Sequence, residues 1–322
     1  MSGMVLISGG LGYVGGRMAT HFAYHSDFFL RLGTRRAEQP SPHWLARGEL
    51  VTLDMLDQAQ IDAACRGVRH VVHLAAANEN MAAADPELSL QVNGLGTLKL
   101  LRAAIRAGVE RFVYLSTAHI YGSPLVGTIS ESTLPRPVHP YAITHRTAED
   151  FVLAAHDKGE IVGIALRLSN GFGVPERADV DRWSLIVNDL CRQAVTGGTI
   201  QMRSAGLDQR DFISLEDAAR AVLHIINLPR AQIGDGLFNV GGGCSMRVIE
   251  LVELIAQRCH AVLGFQPLVI RPDPTSVAQL PPLDYRMDKL LATGFALQGN
   301  MVDEIDATLR LCQAAFSRCE KP

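Results

Sequence analysis

Short apolar runs alternate with longer segments of helical periodicity over the first two thirds of the chain. The short runs lack strict apolar–polar alternation, which is typical of parallel strands covered on both faces. We predict strands at Met4–Ser8, Phe28–Leu32, Glu49–Leu53, His70–Leu74, Arg111–Ser116 and Ile161–Leu166. Between them, apolar residues recur at helical spacing, above all in Leu88–Ala107. This alternation predicts an α/β fold, a doubly wound parallel sheet with right-handed crossovers.

The regular alternation ends near Asn170, where glycines and prolines interrupt the pattern. Regular elements resume later, as two predicted helices and one predicted strand: Asp217–Leu228, Val302–Phe316 and Leu237–Val240. We expect residues 1–170 to form the sheet domain, completed by part of 210–240. Residues 171–322 are expected to form mainly a smaller C-terminal part that covers the carboxyl edge of the sheet.

Composition narrows the class of protein. The 322 residues are 48% hydrophobic, and their formal net charge of −3 gives no general attraction to nucleic acid or anionic lipid. No apolar run approaches the roughly 18 residues that a membrane helix needs, and no basic leader precedes the first strand. The six cysteines include no C-x-x-C pair and are expected to be free thiols. We therefore expect a cytoplasmic protein with no metal site, nucleic-acid partner or membrane contact.

Three glycines follow the first strand in a G-x-x-G-x-x-G turn: Gly9, Gly12 and Gly15. Such glycines permit a tight turn, close approach of the backbone to a pyrophosphate, and close helix–strand packing. The helix that follows offers unpaired N–H groups and the positive end of its dipole to the phosphates. An ordinary glycine-rich turn is the alternative, but the position of the turn and the later βα units favour a Rossmann dinucleotide site. We expect Tyr13 and Val14 to contact the dinucleotide there.

The end of the second strand bears on the choice of cofactor. An NAD site normally has a carboxylate at this position, whereas this chain has Gly33-Thr34-Arg35-Arg36. Two arginines can hold a 2′-phosphate through charge-assisted hydrogen bonds, although a solvated basic loop is the alternative. We therefore predict NADP as the cofactor, with NAD as the alternative.

Further cofactor contacts are expected at the ends of the next two strands. Asp54 and Met55 follow the third strand and would contact adenine, although Asp54 could instead be a helix N-cap. Leu74, Ala75 and Ala76 end the fourth strand, where small residues leave room for a flat cofactor.

A threonine and a tyrosine complete a catalytic pattern. Thr117 ends the fifth strand, and Tyr141-Ala142-Ile143-Thr144-His145 opens a helix. With the glycine turn, these residues resemble the extended short-chain dehydrogenase/reductases, in particular the NAD(P)-dependent nucleotide-sugar epimerase/dehydratase branch. The resemblance extends over nearly the whole chain through four further motifs: Asn93-x-x-Gly96-Thr97, Arg167-x-x-Asn170-x-x-Gly173, Arg210-Asp211-Phe212 and Phe238-Asn239-Val240-Gly241.

The resemblance implies roles for these residues. Tyr141 would be the general acid/base on a substrate hydroxyl or carbonyl, and Thr117 would hydrogen bond to the same oxygen. The nicotinamide would give or take the hydride. Asn93 would lie on the helix behind the cofactor. Dimers are common in this family, and here we expect a homodimer through Leu88–Ala107 and the helix of Tyr141, with three apolar residues in the interface: Phe151, Val152 and Ala155.

His145 departs from the family pattern, which has a lysine four residues after the tyrosine. That lysine contacts the nicotinamide ribose and lowers the pKa of the tyrosine. Deprotonation of an ordinary tyrosine at pH 7 costs about 4 kcal/mol, and a neutral imidazole would give less electrostatic help than lysine. Four outcomes follow: a slower enzyme, an enzyme that uses protonated His145 at lower pH, a Tyr141 that only donates a proton, or a non-catalytic nucleotide binder.

The substrate is expected to be a nucleotide-linked sugar held by Asn170, Arg203 and Arg210. Five arginines within 34 residues suit a diphosphate, although loop arginines are often simply solvated: Arg177, Arg182, Arg192, Arg203 and Arg210. The resemblance assigns Arg210 to the diphosphate. A reductase of a non-sugar ketone or hydroxysteroid is the alternative, and its pocket would be apolar.

Overall fold

The apolar runs fold as strands and the periodic segments as helices in the computed structural model, which describes residues 3–36, 40–273 and 280–316. The strands are β1 (Met4–Ser8), β2 (Phe29–Thr34), β3 (Gly48–Thr52), β4 (His70–His73), β5 (Arg111–Thr117), β6 (Gly127–Ile129), β7 (Val162–Leu168), β8 (Asn170–Phe172), β9 (Thr199–Gln201), β10 (Gln209–Ser214), β11 (Leu237–Val240), β12 (Ser245–Arg247), β13 (Leu268–Ile270) and β14 (Leu283–Tyr285). The helices are α1 (Tyr13–His25), α2 (Gln58–Ala64), α3 (Glu79–Ala84), α4 (Pro86–Ser89), α5 (Gly96–Arg106), α6 (Pro140–Asp157), α7 (Ile186–Gly197), α8 (Leu215–Asn227), α9 (Arg230–Ile233), α10 (Val248–Leu263), α11 (Asp288–Ala292) and α12 (Met301–Phe316).

Seven of these strands form one parallel sheet in the order β11-β7-β5-β4-β1-β2-β3. Successive residues of a strand face opposite sides, so β1 buries Val5 and Ile7 in one core and Leu6 in another. Helices α1 and α8 line the first core, and α2, α5 and α6 line the second. The predicted doubly wound Rossmann sheet is therefore confirmed.

Every strand predicted from the sequence lies in this sheet, with bounds that differ by at most two residues. Residues 210–240, which were expected to complete the central sheet, add one strand to it. The strand Leu237–Val240 pairs with β7, whereas Gln209–Ser214 pairs with β8 and β12 in a smaller sheet. Helices α7, α10 and α12 pack around a separate core beside that smaller sheet. The division of the chain into domains at residue 170 stays a prediction.

The segment predicted as one helix at Leu88–Ala107 is helical from Pro86 to Arg106, but it is not α-helical throughout. A π-helical turn at Leu90–Leu95 separates α4 from α5, and it buries Asn93. Gly96 then lets α5 approach the end of β3, because a Cβ at this position would lie 2.9 Å from the Cβ of Met55. Such π-helical turns often occur at functional sites, and simple helical periodicity does not reveal them.

Two other expectations need correction or restriction. Val152 and Ala155, which were expected in a dimer interface, are buried in the second core of the same chain. The five described cysteines are free, and Cys319 lies outside the described residues. Among the described residues, none of the helices is long and apolar enough to cross a membrane.

A buried ion pair fixes α6 to the sheet. The guanidinium of Arg167 on β7 donates to both carboxylate oxygens of Glu149 on α6, and the two side chains are 1% and 0% exposed. Arg167 also donates to the hydroxyl of Tyr121, 2.7 Å away, which in turn donates to Asn239 on β11. The pair therefore connects α6 to two strands and to the 3-10 turn Ala118–Tyr121 that follows β5.

We predict that Glu149→Ala lowers the free energy of unfolding by about 3–5 kcal/mol, because it leaves the Arg167 guanidinium buried without its counter-ion. The measurement is chemical denaturation followed by circular dichroism. Asp150→Ala is the matched control, since the neighbouring Asp150 is exposed and pairs only with Arg146 at the surface. It should cost less than about 1 kcal/mol. Equal losses in the two variants would contradict the prediction.

Candidate functional site

The glycine turn lies between β1 and α1 at the carboxyl edge of the sheet. Gly9 has a φ of +69°, and a Cβ at Gly15 would lie 2.1 Å from the Gly9 carbonyl oxygen, so larger residues are excluded at both positions. Gly12 is exposed and precedes α1, whose N-terminus has no side-chain cap and no acidic residue in its first turn. Unpaired N–H groups and the helix dipole therefore remain available for an anion.

Tyr13, the first residue of α1, connects this turn to the C-terminal part. Its hydroxyl donates to the Gly173 carbonyl oxygen at 2.8 Å and lies 3.3 Å from the Asn188 side-chain oxygen. Burial raises the pKa of Tyr13, so the hydroxyl keeps its proton and remains a donor. Val14 lies beside it in the wall of the cavity described below.

A buried histidine holds the end of β4 against β1. His73 places Nδ1 at 2.6 Å from the Ser8 hydroxyl and Nε2 at 2.8 Å from the Thr97 hydroxyl. Because Thr97 donates to a main-chain carbonyl, its oxygen must accept from Nε2–H, and Ser8 must then donate to Nδ1. Ser8 in turn accepts from the N–H groups of Leu74 and Ala75. This chain of hydrogen bonds fixes Leu74–Ala76 beside the glycine turn.

Asn93 lies behind these residues. Its side-chain oxygen accepts from the Ala77 N–H at 2.7 Å, and its amide donates to the Thr144 hydroxyl at 3.0 Å. Both ends of the amide are thus used within the protein. Asn93 joins the loop after β4 to α6, which is a supporting rather than an exposed position.

One cavity of about 450 Å³ opens at the carboxyl edge of the sheet. It brings together ten residues that the sequence analysis assigned to catalysis, cofactor or substrate: Tyr13, Val14, Leu74, Ala76, Thr117, Tyr141, His145, Asn170, Arg203 and Arg210. The elements that supply them are β5, α1, α6, β8, β10 and the loops around them. Residues far apart in the sequence therefore share one space of the size of a small-molecule site.

Tyr141 lies at the start of α6 and lines the cavity together with Thr117. Burial raises the pKa of Tyr141 above the ordinary value of 10.0, and the charge of Glu79 acts in the same direction. Arg182 and the Thr117 side chain oppose the shift without cancelling it. The phenol is therefore protonated at neutral pH and is poised as a proton donor.

His145 lies one turn further along α6, with its ring centroid 4.3 Å from that of Tyr141. Burial lowers the pKa of His145 to about 4, so the imidazole is neutral at pH 7. The option of a protonated His145 near neutral pH is thereby disfavoured. Its Nδ1 lies 2.7 Å from the Tyr114 hydroxyl, whereas its buried Nε2 has no partner among the described residues.

Tyr114 on β5 determines which nitrogen of His145 carries the proton. Burial keeps the pKa of Tyr114 well above 10.0, so its hydroxyl is protonated and able to donate. Donation to Nδ1 makes Nδ1 the acceptor and leaves the proton on Nε2. We assign this tautomer to His145, which then presents a neutral N–H donor at the cavity.

An ion pair that sequence reasoning missed lies in the same cavity. Arg182 in the loop before α7 is 3.0 Å from Glu79 at the start of α3. Burial alone would raise the pKa of Glu79, but the Arg182 charge lowers it below its usual range. Glu79 belongs to no motif, and Tyr114 is an ordinary strand aromatic in the sequence. No signal in the sequence therefore identified Glu79 or Tyr114 as residues of the site.

The predicted substrate residues also line the cavity. Arg210 on β10 is 3.1 Å from Asp208, and the largely exposed Arg203 is 3.8 Å from Asp189. Asn170 donates its amide to the Asp211 carbonyl oxygen at 2.9 Å, which leaves the side-chain oxygen free of this bond. Both arginines of this group are thus paired with carboxylates that line the same cavity.

The remaining predicted cofactor residues lie at the same edge but outside the cavity lining. Arg35 and Arg36 are exposed after β2, and Arg36 is 3.9 Å from Asp179. Asp54 accepts from the Leu56 N–H at 2.9 Å and so stabilises the turn after β3. The N-cap of α2 is Asp57, so the alternative role proposed for Asp54 is wrong. Met55 is buried in the second core.

Comparison with known proteins identifies the family of the chain. The model of the NAD dependent epimerase/dehydratase family matches residues 5–241. The dTDP-D-glucose 4,6-dehydratase of Mus musculus is 31% identical over 169 residues, which are 52% of this chain and 44% of that protein. The chain thus aligns with less than half of that relative's length.

Two solved structures share the fold over nearly the full length. The UDP-glucose 4-epimerase of Thermus thermophilus in complex with NAD has a TM-score of 0.79 and 25% identity, covering 97% of this chain and 99% of that chain. RMD from Pseudomonas aeruginosa, complexed with NADPH, has a TM-score of 0.77 and 22% identity, with the same coverage. This protein belongs to the NAD-dependent epimerase/dehydratase family.

Proposed function

We propose that this protein is an enzyme that binds NAD(P) and a nucleotide-linked sugar, and that it changes the sugar by hydride transfer with Tyr141 as the acid/base. One observation carries the proposal. Thr117, Tyr141 and His145 line the same cavity as Arg203 and Arg210. Epimerisation, dehydration and reduction of a sugar all begin from this arrangement.

The residues at the carboxyl edge suit a dinucleotide. The space at Gly9, Gly12 and Gly15 and the uncapped N-terminus of α1 would hold the pyrophosphate. The unpartnered Nε2–H of His145 would donate to a ribose hydroxyl, which would satisfy a buried polar group. The dinucleotide supplies the hydride acceptor or donor, a role that side chains cannot fill.

The charge of the cavity supports a nucleotide diphosphate as the anchor of the substrate. Arg182, Arg203 and Arg210 all line it. Each hydrogen bond between an arginine and a phosphate contributes on the order of 1.5–3 kcal/mol. Each of these arginines is paired with a carboxylate of the same lining, Glu79, Asp189 or Asp208. A diphosphate offers these arginines a stronger anion to bind, whereas a ketone or hydroxysteroid without phosphates offers none, which favours a nucleotide-linked sugar.

The expected proton transfer depends on two side chains that are both neutral at pH 7, Tyr141 and His145. Tyr141 keeps its proton at pH 7, so it readily donates to the oxygen of a sugar carbonyl that is being reduced. Oxidation of a sugar alcohol needs the reverse transfer, to a phenolate that no fixed positive charge stabilises. Arg182 is close, but its charge is offset by Glu79. We infer that turnover is faster in the reductive direction and that oxidation gains rate as pH rises.

We predict that Tyr141→Phe lowers kcat by about 10²–10⁴ and leaves the dinucleotide affinity nearly unchanged, because only the proton transfer is lost. His145→Lys should move the basic limb of the oxidative rate profile about one to two pH units lower, since an ammonium near the phenol stabilises the phenolate. The measurements are kcat against pH, with nucleotide sugars as substrates, and calorimetry for the cofactor.

His145→Gln is the matched control for this prediction. It retains a neutral donor without adding charge, so the basic limb should stay in place. Retention of most activity by Tyr141→Phe would show that another group carries the proton. If neither the wild type nor the lysine variant turns over any nucleotide sugar but both bind the dinucleotide, the non-catalytic alternative is favoured.

We further propose NADP as the preferred cofactor, because Arg35 and Arg36 are exposed at the end of β2 where a 2′-phosphate would lie. Replacing both with alanine should weaken NADP binding by about 1.5–3 kcal/mol per lost hydrogen bond and leave NAD binding unchanged. Calorimetry with both cofactors measures this. Arg47→Ala is the control, since Arg47 is exposed at the opposite end of the neighbouring strand. Equal wild-type affinities for NAD and NADP would refute the preference.

We also propose a homodimer. Leu90 and Leu95 of the π-helical turn and Ile143 and Phe151 of α6 are exposed, and the two elements pack against each other in one subunit. An isologous interface would cover this apolar surface twice. We expect a dimeric mass by light scattering at micromolar concentration and a monomeric mass for Ile143→Glu/Phe151→Glu. Leu268→Glu, at an exposed leucine of β13, should remain dimeric; a monomeric wild type would contradict the proposal.

A further inference from the structure

Two histidines and a glutamate lie together where α1 packs on α8, outside the cavity described above. His21 and His25 are four residues apart on α1, so they share one face of the helix, and their ring centroids are 4.4 Å apart. Glu216 reaches them from the first turn of α8. One nitrogen of each imidazole and one carboxylate oxygen all lie within 4.8 Å of one another.

His21 is the buried member of the group. It is 8% exposed, and its Nδ1 lies 2.8 Å from the Oε1 of Glu216. Despite this short distance, Nδ1 makes no hydrogen bond of normal geometry. The Glu216 carboxylate is therefore the close neighbour of a buried nitrogen that lacks a well-aligned hydrogen bond. Two ligands of a tetrahedral metal, with bonds of about 2.1 Å, lie about 3.4 Å apart, so Nδ1 and Oε1 would separate by about 0.6 Å to admit the ion.

The nearest positive side chain, Arg17, does not occupy the space between His21, His25 and Glu216. Arg17 lies 3.7 Å from the other carboxylate oxygen, Oε2 of Glu216, but its guanidinium is hydrogen bonded to Glu304 at 2.6 Å. Oε1 therefore remains directed to His21. His25 is exposed, so its side chain can adjust and a further coordination position faces solvent.

We infer that His21, His25 and Glu216 form a binding site for a divalent transition-metal ion, Zn²⁺ in particular, which ties α1 to α8. Imidazole nitrogens and one carboxylate suit Zn²⁺, whereas Mg²⁺ and Ca²⁺ prefer oxygen ligands throughout. The sequence analysis expected no metal site. It did not consider this group, whose third ligand lies on a helix almost 200 residues after the histidine pair. The inference does not depend on the reaction that the cavity performs.

The test uses the full chain without an affinity tag, freed of metal with a chelator. Calorimetric titration with Zn²⁺ should give one site per chain, and Zn²⁺ should raise the melting temperature. His25→Ala, at an exposed position, and the nearly isosteric Glu216→Gln should each weaken binding at least tenfold and reduce the rise in melting temperature. His260→Ala, an exposed histidine of α10, should match the wild type.

Three results would overturn the inference. They are no stoichiometric binding of Zn²⁺, wild-type affinity in both His25→Ala and Glu216→Gln, or thiolate charge-transfer absorption with Co²⁺ as the probe. The last would place the metal on a cysteine such as the exposed Cys244. A Co²⁺ spectrum without thiolate absorption, lost in His25→Ala, would support the site.

Discussion

The buried pair of Arg167 and Glu149 is the interaction on which the geometry of the site depends. Glu149 follows His145 by one turn of α6, so its attachment to β7 sets the height and rotation of the helix that carries Tyr141. The same guanidinium contacts Tyr121 in the turn directly after Thr117. Arg167 therefore helps to position both residues: Tyr141 through Glu149 on the same helix, and Thr117 through Tyr121 in the turn that follows it. Such a pair adds little net stability, but its directional bonds allow one arrangement of these elements.

The second constraint is the burial of the rings of Tyr141 and His145. Burial penalises every charged form, so it raises the pKa of Tyr141 and lowers that of His145. A lysine in place of His145 would need its charge compensated in this environment. The imidazole avoids that requirement, because it is neutral and Tyr114 satisfies one nitrogen, while the other is buried without a partner among the described residues. The histidine thus keeps a donor at the family's lysine position and gives up the electrostatic help.

The sequence predicted the elements that depend on local pattern. The parallel strands, the glycine turn and the residues at strand ends were identified because apolar runs and glycine spacing have direct structural meaning. The carboxyl ends of parallel strands meet at one edge, which is why Thr117 at the end of β5 and Leu74 after β4 share a cavity with Tyr141. Arg210, near the start of β10 in the smaller sheet, reaches the same cavity through the packing of the C-terminal part. The cofactor and substrate roles of these residues stay predictions.

The remaining features depend on contacts between distant segments. Tyr114 and His145 are 31 residues apart, and Glu79 and Arg182 are 103 residues apart, so neither pair has a sequence signature. The π-helical turn before α5 follows from the burial of Asn93 between a loop and α6, which overrides the regular helical pattern. Tertiary packing determines each of these features, and a single sequence does not reveal it.

The neutral pair of Tyr141 and His145 also bears on the kind of reaction the cavity favours. A protonated phenol lowers the barrier for reduction of a carbonyl, since the developing oxyanion receives a proton at once. It raises the barrier for oxidation, in which the phenol must first be ionised at a cost that grows with burial. An epimerase needs both directions on one substrate, so the slower, oxidative half would limit its rate. In the proposed mechanism, with Tyr141 as the acid/base, this electrostatic environment is therefore better matched to net reduction of a sugar carbonyl than to rapid reversible epimerisation.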